Sequence, residues 1–141
     1  MKITFLGTGT SQGIPVIGSN HPVCLSKDPK DKRLRTSALF QWEDKNVAVD
    51  CGPDFRMQMI NSKCDKLDAI FFTHEHNDHS AGIRGLSKLQ QLPIFANRDT
   101  VQAVQAKLQR RANWKIFETG KSFEFKLFGS AAGANIISST L

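Results

Sequence analysis

The sequence has 141 residues, 40% of them hydrophobic and 23% charged, which is the composition of an ordinary globular protein with one domain or a large part of one. It contains no run of about 18 apolar residues, which excludes a helix that spans a membrane. Lys and Arg total 19 against 13 Asp and Glu, and the net charge of +6 favours anionic partners such as phosphate esters or nucleic acid.

The N-terminal segment and the cysteines both bear on the cellular compartment. Only four residues separate Lys2 from Gly7, which is too short for the apolar region of a signal peptide, so we interpret residues 2–6 as a first strand. Cys24, Cys51 and Cys64 are odd in number and irregularly spaced, which argues against a disulfide framework and for a reducing compartment. We therefore expect a cytoplasmic protein.

The first half of the chain is predicted to consist mainly of strands. A long polar loop follows the first strand, from Ser11 to about Arg35, and loops of this length are uncommon and often functional. Residues 36–42 and 46–49 are predicted to form a hairpin. Pro53 suits the first turn of the helix that follows, in which apolar residues recur at helical spacing.

The second half alternates strands with helices. The apolar run Leu67–Thr73 predicts a strand buried on both faces. Further strands are predicted at 93–96, 115–117 and 122–128, and helices at Ser80–Gln91 and Thr100–Arg111. This alternation is typical of an α/β domain. Because the composition changes after residue 128, we divide the chain into a domain over 1–128 and an atypical tail over 129–141.

Three of the four histidines lie in the segment His74-Glu75-His76-Asn77-Asp78-His79, directly after the predicted buried strand. Alternate side chains of an extended segment share a face, so His74, His76 and Asp78 are predicted to point the same way. If Asp78 caps the next helix, His79 lies in its first turn and points elsewhere. The alternative, a loop of surface histidines, is disfavoured by the close clustering.

This arrangement can present His74 and His76 to one metal ion, and Asp78 and His79 to a second. Imidazole and carboxylate ligands suit Zn²⁺, Mn²⁺ or Fe. In two-metal sites the ions lie about 3.5–4 Å apart, and bound water has a pKa near 7, so hydroxide is present at neutral pH. Glu75 and Asn77 are predicted to point away from the metals.

The histidine segment resembles the His-x-His-x-Asp-His signature of the metallo-β-lactamase superfamily. Thr4–Thr10 is similar to the opening strand and glycine turn of that family, and Val47–Arg56 is similar to its strand-ending aspartate motif. With Gly13–Val16 and Arg33–Ser37, the resemblance is closest to the phosphodiesterase branch. That branch includes the carbon–phosphorus-lyase accessory cyclic phosphodiesterase and, more distantly, the tRNA 3′-processing endonuclease.

The resemblance covers residues 1 to about 128 and implies an αββα sandwich of which this chain holds the N-terminal half only. It implies that His74 and His76 bind the first metal and that Asp78 and His79 bind the second, which makes Asp78 part of the catalytic centre. It also implies that Asp50 orients a histidine ligand through the other ring nitrogen. For Asp50 the alternative is a turn former at the end of a strand.

The activity implied is hydrolysis of a small phosphoester, most simply a phosphodiester, by a metal-activated hydroxide with two Zn²⁺ ions per complete site, or with Mn²⁺ or Fe. A thioester or lactam substrate stays open, because a shared fold does not determine the substrate. The sequence lacks an aromatic and basic platform for nucleic acid, so that partner has no support of its own.

The family completes its site with two further histidines and a bridging aspartate from its second half. No histidine follows His79 here, and Asp99, the only later aspartate, is predicted to cap a helix. The alternative function is therefore a truncated, catalytically incomplete fragment that acts at most as a weak metal-binding or interaction module. An uncovered sheet face would favour association, so a homo-oligomer is one expected state.

The long loop departs from the family pattern in a second way. In the phosphodiesterase branch this loop often carries a cysteine cluster that holds a structural zinc. Here Ser19 and His21 stand where cysteines are expected and Cys24 is retained, so His21 and Cys24 are candidate ligands. The alternative is an ordinary loop His and Cys. The basic segment Lys27–Arg35 is predicted either to contact a substrate phosphate or to form a solvated surface.

Overall fold

The structure is a computed structural model that describes residues 1–87, 90–125 and 134–137. Six strands form one sheet in sequence order: β1 (Lys2–Gly7), β2 (Ser37–Trp42), β3 (Lys45–Val49), β4 (Ala69–Phe71), β5 (Pro93–Ala96) and β6 (Asn113–Ile116). The pairs β1–β2 and β2–β3 are antiparallel, and the pairs from β3 to β6 are parallel. The predicted α/β class is therefore confirmed.

Two antiparallel strands, β7 (Ser122–Phe125) and β8 (Ala134–Ile137), form a second, smaller sheet. β8 lies inside the segment that we set apart as an atypical tail. The other tail residues, 129–133 and 138–141, and the end of the predicted strand at 126–128 lie outside the described residues. The division of the chain at residue 128 stays a prediction.

Helices lie between the strands along the chain, and the two longest pack on one face of the large sheet. The helices are α1 (Pro22–Leu25), α2 (Phe55–Ser62), α3 (Asn77–Ser80) and α4 (Arg98–Lys107), with short 3-10 helices at Pro29–Asp31 and Ala81–Gly85. Parallel neighbours require a crossover, and α4 between β5 and β6 is such a connection. Among the described residues, no helix has the length and apolar character needed to cross a bilayer.

Both faces of the central strands are buried, as predicted for Leu67–Thr73. On the helix side, Ile70, Phe72 and Ile94 pack with Phe55 of α2 and Val104 of α4. The opposite face holds a separate apolar cluster: Val47, Ala69, Phe71 and Phe95, with Phe123 of β7 packed against it. The rings of Phe71 and Phe95 stack with centroids 4.5 Å apart. Burial on both sides explains the unbroken apolar sequence of β4.

The predicted helix over Ser80–Gln91 is wrong for the residues described. The chain makes one turn of α-helix in α3 and then a 3-10 helix from Ala81 to Gly85. At this point Gly82 donates its N–H to the carbonyl of Cys51 at 2.8 Å. That tertiary bond draws the backbone against the turn after β3, so the chain does not continue as a regular helix. Residues 88–89 of the predicted range lie outside the described part.

The start and end of α4 also differ from the prediction. Asn97 is the capping residue, because its Oδ1 accepts the N–H of Thr100 at 2.8 Å. Asp99 therefore does not cap the helix; it lies in the first turn, where the helix dipole favours a negative charge. The helix ends at Lys107, and Leu108 is already extended, so the predicted end at Arg111 is too late.

Candidate functional site

The turn after β3 and the histidine segment after β4 meet at one edge of the sheet. The two strands are parallel neighbours, so the segments that leave their carboxyl ends start side by side. Asp50 donates its backbone N–H to the carbonyl of Phe71 at 2.8 Å, which joins the two exits directly. Asp50 has a φ of 61°, a left-handed conformation that aspartate tolerates better than most residues.

The Asp50 carboxylate is 3% exposed and accepts three hydrogen bonds. Its Oδ1 accepts the backbone N–H of Thr73 at 2.9 Å, and its Oδ2 accepts the Thr73 hydroxyl at 2.8 Å. Oδ2 also lies 2.7 Å from Nδ1 of His79. These contacts are what a residue that orients a histidine requires, and they reach across the sheet edge instead of closing the turn locally.

Thr73 extends this network to a second histidine. Its Oγ1 lies 2.9 Å from Nδ1 of His74. Because the hydroxyl of Thr73 donates its only hydrogen bond to the carboxylate, its oxygen must accept a hydrogen bond from His74 Nδ1–H. His79 likewise donates from Nδ1 to Asp50. The Asp50 carboxylate therefore fixes the tautomer of His79 directly and that of His74 through Thr73. In both rings Nε2 is unprotonated, which is the form that binds metal.

Sequence reasoning missed Thr73. The available signal was a hydroxyl residue directly before the first histidine, at the end of the predicted buried strand Leu67–Thr73.

The histidine rings form one compact group. The centroid of the His74 ring lies 4.6 Å from that of His76 and 4.2 Å from that of His79. The expectation that His79 points away from the other two is therefore wrong. Asp78 does not cap α3 either: the capping position belongs to His76, and Asp78 lies in the first turn.

The early start of α3 has a local cause in Ser80, which is 3% exposed. Its Oγ donates to the carbonyl of His76 at 2.9 Å and contacts that of Glu75 at 3.1 Å. The backbone N–H groups of His79 and Ser80 also donate to the carbonyl of His76. These bonds wind residues 77–80 into a turn and bring His79 back towards His74.

One pair of donor atoms has the separation that a shared metal ion requires. Nε2 of His79 lies 3.3 Å from Oδ2 of Asp78. Two ligands of one tetrahedral zinc, each at about 2.0–2.2 Å, lie about 3.3–3.6 Å apart, so this separation fits a shared ion. Within the described ranges no group of three or more His, Cys, Asp or Glu side chains converges on one point suited to a metal.

The loop residues His21 and Cys24 make local contacts. Nδ1 of His21 accepts the N–H of Val23 at 3.3 Å and caps α1. Sγ of Cys24 accepts the N–H of Val16 at 3.5 Å. That hydrogen bond and, to a smaller extent, one with the Ser19 side chain lower the pKa of the Cys24 thiol. Such contacts are those of ordinary loop residues, and a structural zinc here stays a prediction.

The basic segment is partly used within the chain itself. Arg35 donates from Nη1 to Oδ1 of Asp54 at 2.9 Å and from Nε to the carbonyl of Ser11 at 2.8 Å. Lys32 donates from Nζ to the carbonyl of Ser26 at 2.6 Å. These two side chains bind the long loop to itself and to the residue that precedes α2, which favours a structural role over phosphate contact.

Comparison with known proteins shows the family to which the chain belongs. Residues 45–136, more than half of the chain, match the sequence model of a family described as "Beta-lactamase superfamily domain". The chain belongs to the β-lactamase superfamily. The matched range contains Asp50 and the whole histidine segment, and it extends past residue 128 into the segment that we set apart.

Individual superfamily members and relatives are longer than this chain. A solved diphosphatase of the PhnP family is 36% identical with a TM-score of 0.76, over 90% of this chain and 53% of that one. Ribonuclease Z of Listeria monocytogenes is 29% identical over 91% of this chain and 43% of its own length. An octanoyltransferase of Porphyromonas gingivalis is 38% identical over 77% of this chain and 23% of its own length. The chain spans about half the length of these relatives or less.

Proposed function

We propose that this superfamily member is a metal-dependent hydrolase that acts on phosphodiesters. His74 and His76 would hold one metal ion, and Asp78 and His79 a second. Zn²⁺ suits these donors, and Mn²⁺ or Fe are the alternatives. The observation that carries the proposal is the pair formed by His79 Nε2 and Asp78 Oδ2. Two acceptors 3.3 Å apart repel each other unless a cation or a proton lies between them.

The residues of the chain prepare the site for this chemistry. Metal ions, when bound, polarise phosphoryl oxygens and lower the pKa of a bound water. The hydrogen bond to Asp50 keeps the ring proton of His79 on Nδ1. The hydrogen bond to Thr73 does the same for His74, so Nε2 of each ring keeps its lone pair. The carboxylate is buried and accepts three hydrogen bonds, which hold both rings in one orientation before any metal arrives.

The choice of a phosphodiester rests on the relatives and on charge. The names diphosphatase and ribonuclease Z both describe proteins that cleave phosphate linkages, and the net charge of +6 favours an anionic substrate. The resemblance to the phosphodiesterase branch adds a small phosphodiester as the proposed substrate. The three unpaired cysteines support a cytoplasmic location.

A weak metal-binding module is the second candidate. The observation that favours it is that the described donors come in pairs, whereas a tightly held zinc has three or four protein ligands. The same experiment separates the two candidates.

The test measures metal content and hydrolysis together. The purified chain is loaded with Zn²⁺ or Mn²⁺, exchanged into buffer, analysed for metal and assayed with bis(p-nitrophenyl) phosphate. We expect close to two metal ions per chain and metal-dependent hydrolysis that is lost in His79→Gln. Asp99→Asn changes a side chain in the first turn of α4, outside the cluster, and should retain the activity. Little retained metal and no hydrolysis would overturn the hydrolase and favour the weak module.

Thr73→Val tests the link between Asp50 and His74. Valine has the shape of threonine but cannot accept a hydrogen bond from Nδ1 of His74, so the ring loses its preferred tautomer. We expect zinc affinity to fall about 10-fold, by competition with a chromophoric chelator. Thr73→Ser retains the hydroxyl and should bind zinc like the parent protein. Equal affinity in the valine and serine variants would show that the hydroxyl does not set the tautomer.

A further inference from the structure

A cavity of about 170 Å³ lies beside α3, outside the histidine group. It is lined by α3, by the 3-10 helix that follows and by the last turn of α4: Asn77, Ser80, Ala81, Ile83, Arg84, Val104, Lys107 and Leu108. Nothing in the proposed hydrolysis uses it. Its volume is several times the roughly 30 Å³ that a water molecule occupies, so a small tetrahedral anion fits.

The cavity and the histidine group use different sides of the same short helix. Asn77, Ser80 and Ala81 are three and four residues apart, which places them on one helical face, and all three line the cavity. Asp78 and His79 lie between them in sequence, and their side chains contact each other and Asp50 instead. A ligand in the cavity would therefore be separated from the histidines by the body of α3.

Two cationic side chains, Arg84 and Lys107, line this cavity, and a third, Arg110, is hydrogen-bonded to the backbone of Arg84. Arg84 donates from Nη2 to the carbonyl of Lys107 at 3.2 Å, and Arg110 donates from Nη2 to the carbonyl of Arg84 at 3.0 Å. Lys107 donates from Nζ to Oδ1 of Asn77 at 3.3 Å. Among the ion pairs of the described residues, none involves Arg84, Lys107 or Arg110. In the described part of the chain, their hydrogen-bond partners are therefore carbonyl and amide oxygens, which do not neutralise the charge.

These contacts hold the cations without exhausting their hydrogen-bonding capacity. A guanidinium has five N–H donors and an ammonium three. Arg84 and Lys107 each use one donor here, and Arg110 uses two, because its Nη2 also donates to the carbonyl of Leu86. Bonds to backbone carbonyls also reduce the freedom that each side chain would lose on binding a ligand. Ile83, Val104 and Leu108 supply an apolar wall, and the cationic side chains beside it are exposed to solvent and accessible to a ligand.

We propose that this cavity is a phosphate-binding site formed by Arg84, Lys107 and the adjacent Arg110. A phosphate group has the oxygen geometry that guanidinium groups bind in a fork and enough negative charge to offset several cations. The group has two sources: free inorganic phosphate, or one phosphodiester of a short nucleotide chain. Site and ligand are independent of the proposed hydrolysis, because binding here requires no metal and no reaction.

The test is an NMR titration of ¹⁵N-labelled full-length protein with inorganic phosphate, against sodium chloride at matched ionic strength. We expect saturable shifts at the amides of Asn77, Ala81, Arg84 and Lys107 with phosphate and none with chloride. Lys107→Gln should weaken binding fivefold or more, and it is a mild change because the only described contact of that ammonium is with Asn77. Arg98→Gln removes a positive charge from the other end of α4 and should bind phosphate like the parent protein.

A second titration, with a short single-stranded RNA, distinguishes the two sources. Tighter binding of the RNA at the same amides assigns the site to a phosphodiester of a longer ligand, and equal or weaker binding assigns it to the free anion. The proposal is overturned if phosphate shifts only the amides of His74, His76 and His79, if chloride produces the same shifts, or if Lys107→Gln and Arg98→Gln bind phosphate equally. The presence or absence of hydrolysis by the same sample changes none of these readouts.

Discussion

Asp50→Asn is expected to lower zinc affinity 10- to 100-fold, the range found when the partner of a metal-binding histidine is removed. Asparagine has one oxygen where the carboxylate has two, so the three hydrogen bonds that now end on Asp50 cannot all be kept. If its amide group faces His79, it donates to Nδ1 and shifts the ring proton to Nε2. That tautomer cannot bind a metal through Nε2. A chelator competition assay measures the loss.

Asp54→Asn is the matched control for this change. Its carboxylate accepts hydrogen bonds from the backbone N–H and from Nη1 of Arg35, each at 2.9 Å. It has no described hydrogen bond to the histidine group. The same loss of one negative charge, four residues away, should leave zinc affinity within about twofold of the parent protein. If both variants lose affinity equally, the effect is general electrostatics, and Asp50 does not act through the histidine ring.

The hydrophobic pattern of the sequence could identify residues whose burial follows from the strand to which they belong. β4 is apolar throughout because both of its faces are covered, and the apolar run Leu67–Thr73 indicates this burial without any other part of the sequence. The histidine segment was equally visible, since its spacing and its position after a strand need no knowledge of neighbours. The parallel order of β3 and β4 then explains why Asp50 and His79 meet, although they are 29 residues apart.

The arrangement inside the site depends on tertiary bonds that no local pattern shows. Whether His79 faces His74 is decided by Ser80, whose hydroxyl bonds to two preceding carbonyls and winds α3 early. The role of Thr73 can be recognised only in the structure, where its N–H and its hydroxyl both donate to Asp50. The contact of Lys107 with Asn77 joins α4 to α3 across 30 residues and is likewise invisible in either segment alone.

Gly52→Ala is expected to destabilise the protein by about 3 kcal/mol, at the upper end of the cost of overpacking. A Cβ at Gly52 would lie 1.9 Å from the carbonyl oxygen of Asp78 and 3.0 Å from its carbon. Both are backbone atoms, so no change of side-chain rotamer relieves the overlap and the two segments must separate. Separation breaks the 2.7 Å hydrogen bond from Cys51 N–H to the carbonyl of His79. The midpoint of urea unfolding measures the loss.

The same substitution should also weaken zinc binding, because the turn that moves is the one that carries Asp50 to His79. Gly85→Ala is the control: a Cβ there meets no atom within 4 Å, and stability should change by less than about 1 kcal/mol. An unfolding midpoint for Gly52→Ala equal to that of Gly85→Ala would mean that the turn after β3 does not pack closely on α3. The contact between Asp50 and His79 would then lack the backbone support from which its rigidity follows.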